Sequence, residues 1–183
     1  MLNRKLLNIE LGRVSPQEYK ELPESGLVLV RDNIRSAHNV GSAFRTADSF
    51  KVDKVWLCGI CAVPPSAEIH KSALGAEDSV EWEHVDDTMD AICRLKEDGY
   101  TIVSAEQTVN SVMLDRFVPS PGEKYAVVFG NEVAGVRQDV VDTSDMVLEI
   151  PQYGTKHSLN VSVSMGVILW HLRSNMPVCR QVR

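Results

Sequence analysis

Three polar stretches, far apart in the chain, carry the residue types that could do chemistry. The first is DNIRSAHNVGSAFRTA at residues 32–47, in which Arg45 lies one position off the apolar stripe of Val40, Phe44 and Ala47. A helical side chain leans back over the preceding turn, so Gly41 leaves room for the Arg45 guanidinium to lie toward the helix start, where His38 precedes Asn39 and Asn39 is placed to cap. The second is VVFGNEVAGVRQD at residues 127–139: Gly130 permits a sharp turn or a close backbone approach to a ligand, and the Glu132 carboxylate can hold an arginine by a bidentate bond. The third is the run VLEIPQYGTKHSLNVSVSMGVILWHL at residues 147–172, where a strand, a polar turn and a helix capped by Ser158 make a place for a ligand, with Ser158 and Asn160 as its polar side chains. Taken singly, each has an ordinary reading: a surface ion pair, a solvated glutamate in a tight loop, a helix cap beside an exposed amide.

The elements that must position these residues alternate. Buried strands are expected at residues 27–30, 54–60, 80–85, 100–105, 125–129 and 146–150, and helices at about 40–50, 66–74, 86–98, 137–142 and from 158 onward. The helix at 66–74 is closed by Gly75, and that at 86–98 turns Met89, Ile92, Cys93 and Leu95 inward. Between 158 and 172 an alternating pattern competes with a helical stripe of Val161, Met165, Ile168, Leu169 and Leu172, and the length of the run decides for helix. Such alternation gives an α/β fold, a mostly parallel six-stranded sheet with helices on both faces. Residues 1–25 read as a short amphipathic helical extension broken by Pro16 and Pro23, residues 26–176 as the main domain, and residues 177–183 as a tail.

With 183 residues and 44% hydrophobic content, one domain with a proper core is expected. Nineteen basic against 25 acidic residues, a formal charge of −6, argue against binding nucleic acid through global positive charge, so a polyanionic partner must meet a local basic patch. Four scattered cysteines make no disulfide framework, and the start of the chain lacks a long apolar core and a small-residue cleavage site; no run is long enough to cross a bilayer, and a cytoplasmic setting is expected. The Cys58–Cys61 spacing lacks the second pair that a structural zinc site needs, the five histidines are dispersed, and no metal is expected. Trp56, Trp82 and Trp170 sit in apolar segments and read as core.

In order and spacing, the three polar stretches resemble the signature motifs of the SpoU family, the ribose 2′-O-methyltransferase branch of the SPOUT superfamily, and look similar to its transfer-RNA guanosine 2′-O-methyltransferase (TrmH) type. The resemblance spans residues 27–172 and includes HKSALGAED at residues 70–78. It implies a C-terminal trefoil knot; S-adenosyl-L-methionine against backbone near Ala105, Gly130, Ile150, Ser158 and Leu159, leaving as S-adenosylhomocysteine; a homodimer; and an RNA substrate, transfer RNA ahead of ribosomal RNA. By motif position it assigns the proton-accepting or substrate-fixing role to Arg45, with Asn39, Glu132, Ser158 and Asn160 orienting it and the ribose. His38, Arg4, Arg13 and Arg173 become substrate contacts. Two competing readings remain: a knotted methyltransferase acting on a base nitrogen, and a non-catalytic RNA-binding relative.

Overall fold

Strand β1 (Leu27–Asp32) is buried along its whole length, as its LVLV run requires of a strand covered on both faces. In the computed structural model, which describes residues 3–176, it pairs in parallel with β2 (Lys54–Cys58) on one side and β6 (Lys124–Phe129) on the other. Strand β3 (Glu81–Val85) forms one edge, while β4 (Tyr100–Ala105), β7 (Met146–Glu149) and β5 (Val112–Met113) extend the other, in the order β3-β2-β1-β6-β4-β7-β5. Every pairing between these strands is parallel, so the expected fold class holds. The sheet has seven strands and not six. The additional one, β5, is two residues long, too short to show a period, and exists through its pairing with Leu148 and Glu149 of β7.

Both faces are covered. On one, α1 (Pro16–Glu21), α2 (Ala37–Phe50), α3 (Ala67–Ala73), α4 (Ala76–Ser79) and α7 (Val161–Asn175) bury Tyr19, Val40, Phe44, Ile69, Ala76, Met165 and Leu169 against Leu27, Leu29, Val55 and Val127. On the other, α5 (Thr88–Glu97) and α6 (Gln138–Thr143) bury Ile92, Leu95 and Val140 against Val28, Val30 and Ile102. Among the described residues no helix is long and apolar enough to cross a membrane, and no three His, Cys, Asp or Glu side chains are grouped to hold a metal ion.

Several local expectations are corrected, each for an identifiable reason. A single amphipathic N-terminal helix does not form among the described residues: Leu6, Leu7 and Ile9 are exposed, and Pro16, rather than breaking a helix, opens α1, where Ser15 and Glu18 make a reciprocal capping box. Leu74, in the left-handed conformation, closes α3, and Gly75 caps α4 instead. Cys93 is exposed and Ala91 takes its inward place on α5. Trp56 is buried, but Trp82 is 36% and Trp170 60% exposed, because an apolar neighbourhood does not say which way a large ring turns. Cys58 and Cys61 are buried free thiols, as expected of small core residues. The proposed tail, with Arg180 and Arg183, lies outside the described residues.

Gly41 does not make room for Arg45. A Cβ there would stand 2.1 Å from Ser72 Oγ and 2.4 Å from the Ile69 carbonyl oxygen, so the glycine exists to let α2 and α3 touch. A hydroxyl can rotate away; a helix carbonyl cannot. Gly41→Ala is therefore expected to lower stability by about 1–3 kcal/mol through overpacking, read as a drop in the denaturation midpoint, with an unchanged midpoint counting against the packing role.

Candidate active site

The three polar stretches meet at the carboxyl edge of the sheet, and Asn39 is the residue that joins them. Its Nδ2 donates to Glu132 Oε1 at 2.5 Å, and its Oδ1 accepts from the Ser162 hydroxyl at 3.1 Å. One amide thus ties the start of α2 to the loop after β6 and to the first turn of α7. Asn39 can do this because it does not cap α2: Ser36 does, its Oγ accepting from Asn39 N at 3.2 Å, so the helix begins at Ala37 and the asparagine side chain is left to point outward from the first turn. Likewise Asn160 and not Ser158 caps α7, its side chain accepting from Ser162 N at 2.9 Å.

Further bonds fix the first two loops against each other. Asn131 Nδ2 donates to the Asn33 carbonyl at 3.0 Å, and buried Asp32 accepts from Arg137 N at 3.0 Å and from the Thr88 hydroxyl at 2.5 Å. Within the second loop, Asn131 and Gly135 exchange backbone bonds of 2.9 Å. Gly130 is needed there for a reason other than a ligand: a Cβ on it would lie 2.0 Å from the Gly135 carbonyl carbon. Glu106, at the end of β4, accepts from Val136 N at 2.9 Å and holds the turn from the other side. Neither Glu106 nor Ser162 stood out in the sequence, since both do their work across long separations.

Beside this junction opens a cavity of about 700 Å³ whose lining includes Ala105, Gly130, Ile150, Ser158 and Leu159, every residue expected near a cofactor, together with Glu132 and Asn160. Its wall mixes main chain of the loops with Leu148, Ile150, Leu159 and Ile168, and Glu106, Glu132 and Glu149 supply carboxylates. The Glu149 carboxylate is engaged by the Ser111 hydroxyl. A cavity of this size, lined by polar and apolar groups in similar measure, suits a drug-sized molecule with a polar part.

Other expected site residues lie differently. Arg45 is exposed, makes no side-chain hydrogen bond or ion pair among the described residues, and does not line the cavity; seven residues separate it from His38, which puts both on one helical face, also solvent-facing. Arg4 is held by Glu10 at 2.8 Å, Arg13 lies near Asp48 toward the far end of α2, where burial raises the Asp48 carboxyl and Arg13 only partly offsets it, and Arg173 is partly buried in the last turn of α7. None of these three is brought to the junction. On α7, Val163, Val167 and Trp170 with Leu159 before them leave an apolar stripe open to solvent.

A parallel α/β sheet with a cavity outside the carboxyl ends of its strands is an architecture in which ligands bind at that edge. The sequence model of the SpoU rRNA Methylase family matches residues 26–170, and the chain belongs to that family. It is 38% identical over 153 residues to the Nitrosomonas europaea 23S rRNA (guanosine-2′-O-)-methyltransferase RlmB, covering 81% of this chain and 56% of that one. It is 31% identical to the Aquifex aeolicus tRNA (guanosine(18)-2′-O)-methyltransferase, covering 84% and 72%. The chain thus spans a little over half the length of the Nitrosomonas relative. Among solved structures, the A. aeolicus TrmH/SpoU tRNA modifying enzyme superposes with a TM-score of 0.75 at 27% identity, covering 87% of this chain and 81% of that one. The AdoMet-bound rRNA methyltransferase of Sinorhizobium meliloti superposes with a TM-score of 0.76 at 25% identity, covering 88% and 61%.

Proposed function

We propose that this chain is an S-adenosyl-L-methionine-dependent methyltransferase that modifies a ribose 2′-hydroxyl of transfer or ribosomal RNA in the cytoplasm. The observation that carries this is the Asn39 amide, bonded at once to Glu132 and Ser162 at the rim of the cavity. The cavity fits the cofactor: apolar Leu148, Ile150, Leu159 and Ile168 suit an adenine, and the carboxylates of Glu106, Glu132 and Glu149 suit a cationic centre. When bound, the cofactor supplies an electrophilic methyl group. The chain's own residues then orient the acceptor. Glu132 holds Asn39, and Asn39 with Ser162 keeps α2 and α7 in register, so that Arg45 is carried on a fixed helix. A guanidinium is charged at every ordinary pH, so its main work is to fix the substrate phosphate and 2′-oxygen in attack geometry; Ser158 and Asn160 border the same space.

A homodimer belongs to the same proposal. The solvent-facing apolar stripe of Leu159, Val163, Val167 and Trp170 supports it, as does Arg45, exposed and without a side-chain partner among the described residues. The C-terminal trefoil knot is part of the same proposal; the place of β7 between β4 and β5, which are joined by residues 106–111, supports it. Relatives are named for both ribosomal and transfer RNA, and both remain in the proposal. Mass spectrometry of nucleosides from a strain lacking the gene tests it: loss of one 2′-O-methylnucleoside is expected, and an unchanged profile of transfer and ribosomal RNA would sink it.

A further inference from the structure

The net charge of −6 hides an uneven distribution. Most cations near an acid are neutralised by it: Lys51 by Asp53, Lys54 and Arg94 by Glu83, Lys96 by Asp145, Arg137 by Asp87 and Asp139. Besides Arg45, two that are not lie in the segments leading to Asn39 and Asn160. Arg35 lies in the turn between β1 and α2, four residues before Asn39, and Lys156 lies four residues before Asn160 in the connection leading to α7. Both are exposed and neither has a hydrogen bond or ion pair among the described residues. The bond from Ser162 to Asn39 ties together the starts of the two helices that these segments lead into, and residues 157–161 of the second segment line the cavity. The turn under Arg35 is rigid: Asn33 is in the left-handed conformation at φ 56°, its carbonyl is held by Asn131, and Ser36 caps the helix that follows. Exposed His38 and His157 stand beside the two cations.

We infer that Arg35 and Lys156 are the two sides of a clamp for the RNA backbone across the mouth of the crevice, a reading that rests on the methyltransferase proposal. A ribose whose 2′-hydroxyl enters the crevice carries a phosphate on each side, so cations on the two segments meet successive phosphates of one strand. These contacts position the strand and read no base. Lys20 on α1 and Lys71 on α3 are also exposed without an acid partner among the described residues, and they lie on other elements.

The test is binding of a fluorescein-labelled transfer-RNA transcript to the full chain by anisotropy over a range of salt, which needs no methyl transfer and so can fail separately from the proposed activity. Each of Arg35→Ala and Lys156→Ala is expected to reduce the slope of log K against log salt by about 0.7–0.9, and the double variant by the sum. Lys20→Ala, on the helix packed at the other end of α2 through Tyr19, is expected to leave the slope unchanged. Circular dichroism melting checks that the variants fold. Slopes that do not change in Arg35→Ala and Lys156→Ala, or that fall equally in Lys20→Ala, overturn the clamp, the second outcome meaning diffuse attraction. Equal loss of binding to a polyglutamate competitor would point to an acidic protein partner and also overturn it.

Discussion

Replacing Arg45 by alanine is expected to reduce methyl transfer to RNA by roughly 10²- to 10⁴-fold, the range in which a positioned proton-transfer or charge-stabilising group acts. The fold should not notice: Arg45 is exposed and its guanidinium holds nothing among the described residues. Cofactor affinity should also stay near wild type, since Arg45 is absent from the lining of the 700 Å³ cavity. That combination separates a role in chemistry from a role in binding the methyl donor. A rate-limited loss of kcat with unchanged cofactor Kd, measured by labelled-methyl transfer and calorimetry, is the expected result. Retained turnover removes Arg45 from its role; lost cofactor binding means that the helix start has moved. Arg45→Lys sharpens the reading, because an ammonium keeps the charge but not the planar fork that grips a phosphate and a hydroxyl together.

What made the site legible was residue type at the ends of strands. Asn39, Glu132, Ser158 and Asn160 are polar residues in segments otherwise built for burial, and all five residues expected beside a cofactor line one cavity. What could not be read was which atom meets which. The Asn39 to Glu132 bond spans 93 residues in sequence, and it depends on Ser36 rather than Asn39 taking the cap, a choice of helix start that propensities leave open within a turn. Gly41 and Gly130 signal close approach, but to Ile69 and to Gly135, contacts set by tertiary packing. Strand β5 carries too few residues for a period, so the sheet seemed one strand smaller. Trp82 and Trp170 show the same limit: hydrophobic content places a segment in the core, and the phase of its helix or strand against the neighbours decides which side chains remain outside.

Arg31 is the residue least announced by its neighbours in the chain, and a large effect is expected from it. It lies on β1 with the inward alternation of Leu27 and Leu29, is fully buried, and among the described residues its Nε and Nη2 have no hydrogen-bond partner, while Nη1 has the Met165 sulfur at 3.8 Å. Burial lowers its pKa from the usual 12.5 to about 10, with Cys61 and Glu132 as the ionisable groups that pull the other way. At neutral pH the side chain is still charged, so the fold carries a cost of ~3 kcal/mol for holding that cation away from water. The sign is that of a base with a depressed folded-state pKa: the cost is full below about pH 10 and is relieved as pH rises from there toward 12.5. Arg31→Met keeps the length of the chain, removes the charge and places a thioether against Met165. Replacing buried charge by well-packed apolar atoms stabilises proteins by ~1–4 kcal/mol, so the variant is expected to melt several degrees higher, at ~2–4 °C per kcal/mol for a chain of this size. The gap between variant and wild type in urea midpoints should stay constant up to about pH 10 and narrow only above it. A variant less stable than wild type at pH 7 would mean that Arg31 is satisfied in solution, and that its two orphaned N–H groups hold a partner strong enough to offset desolvation.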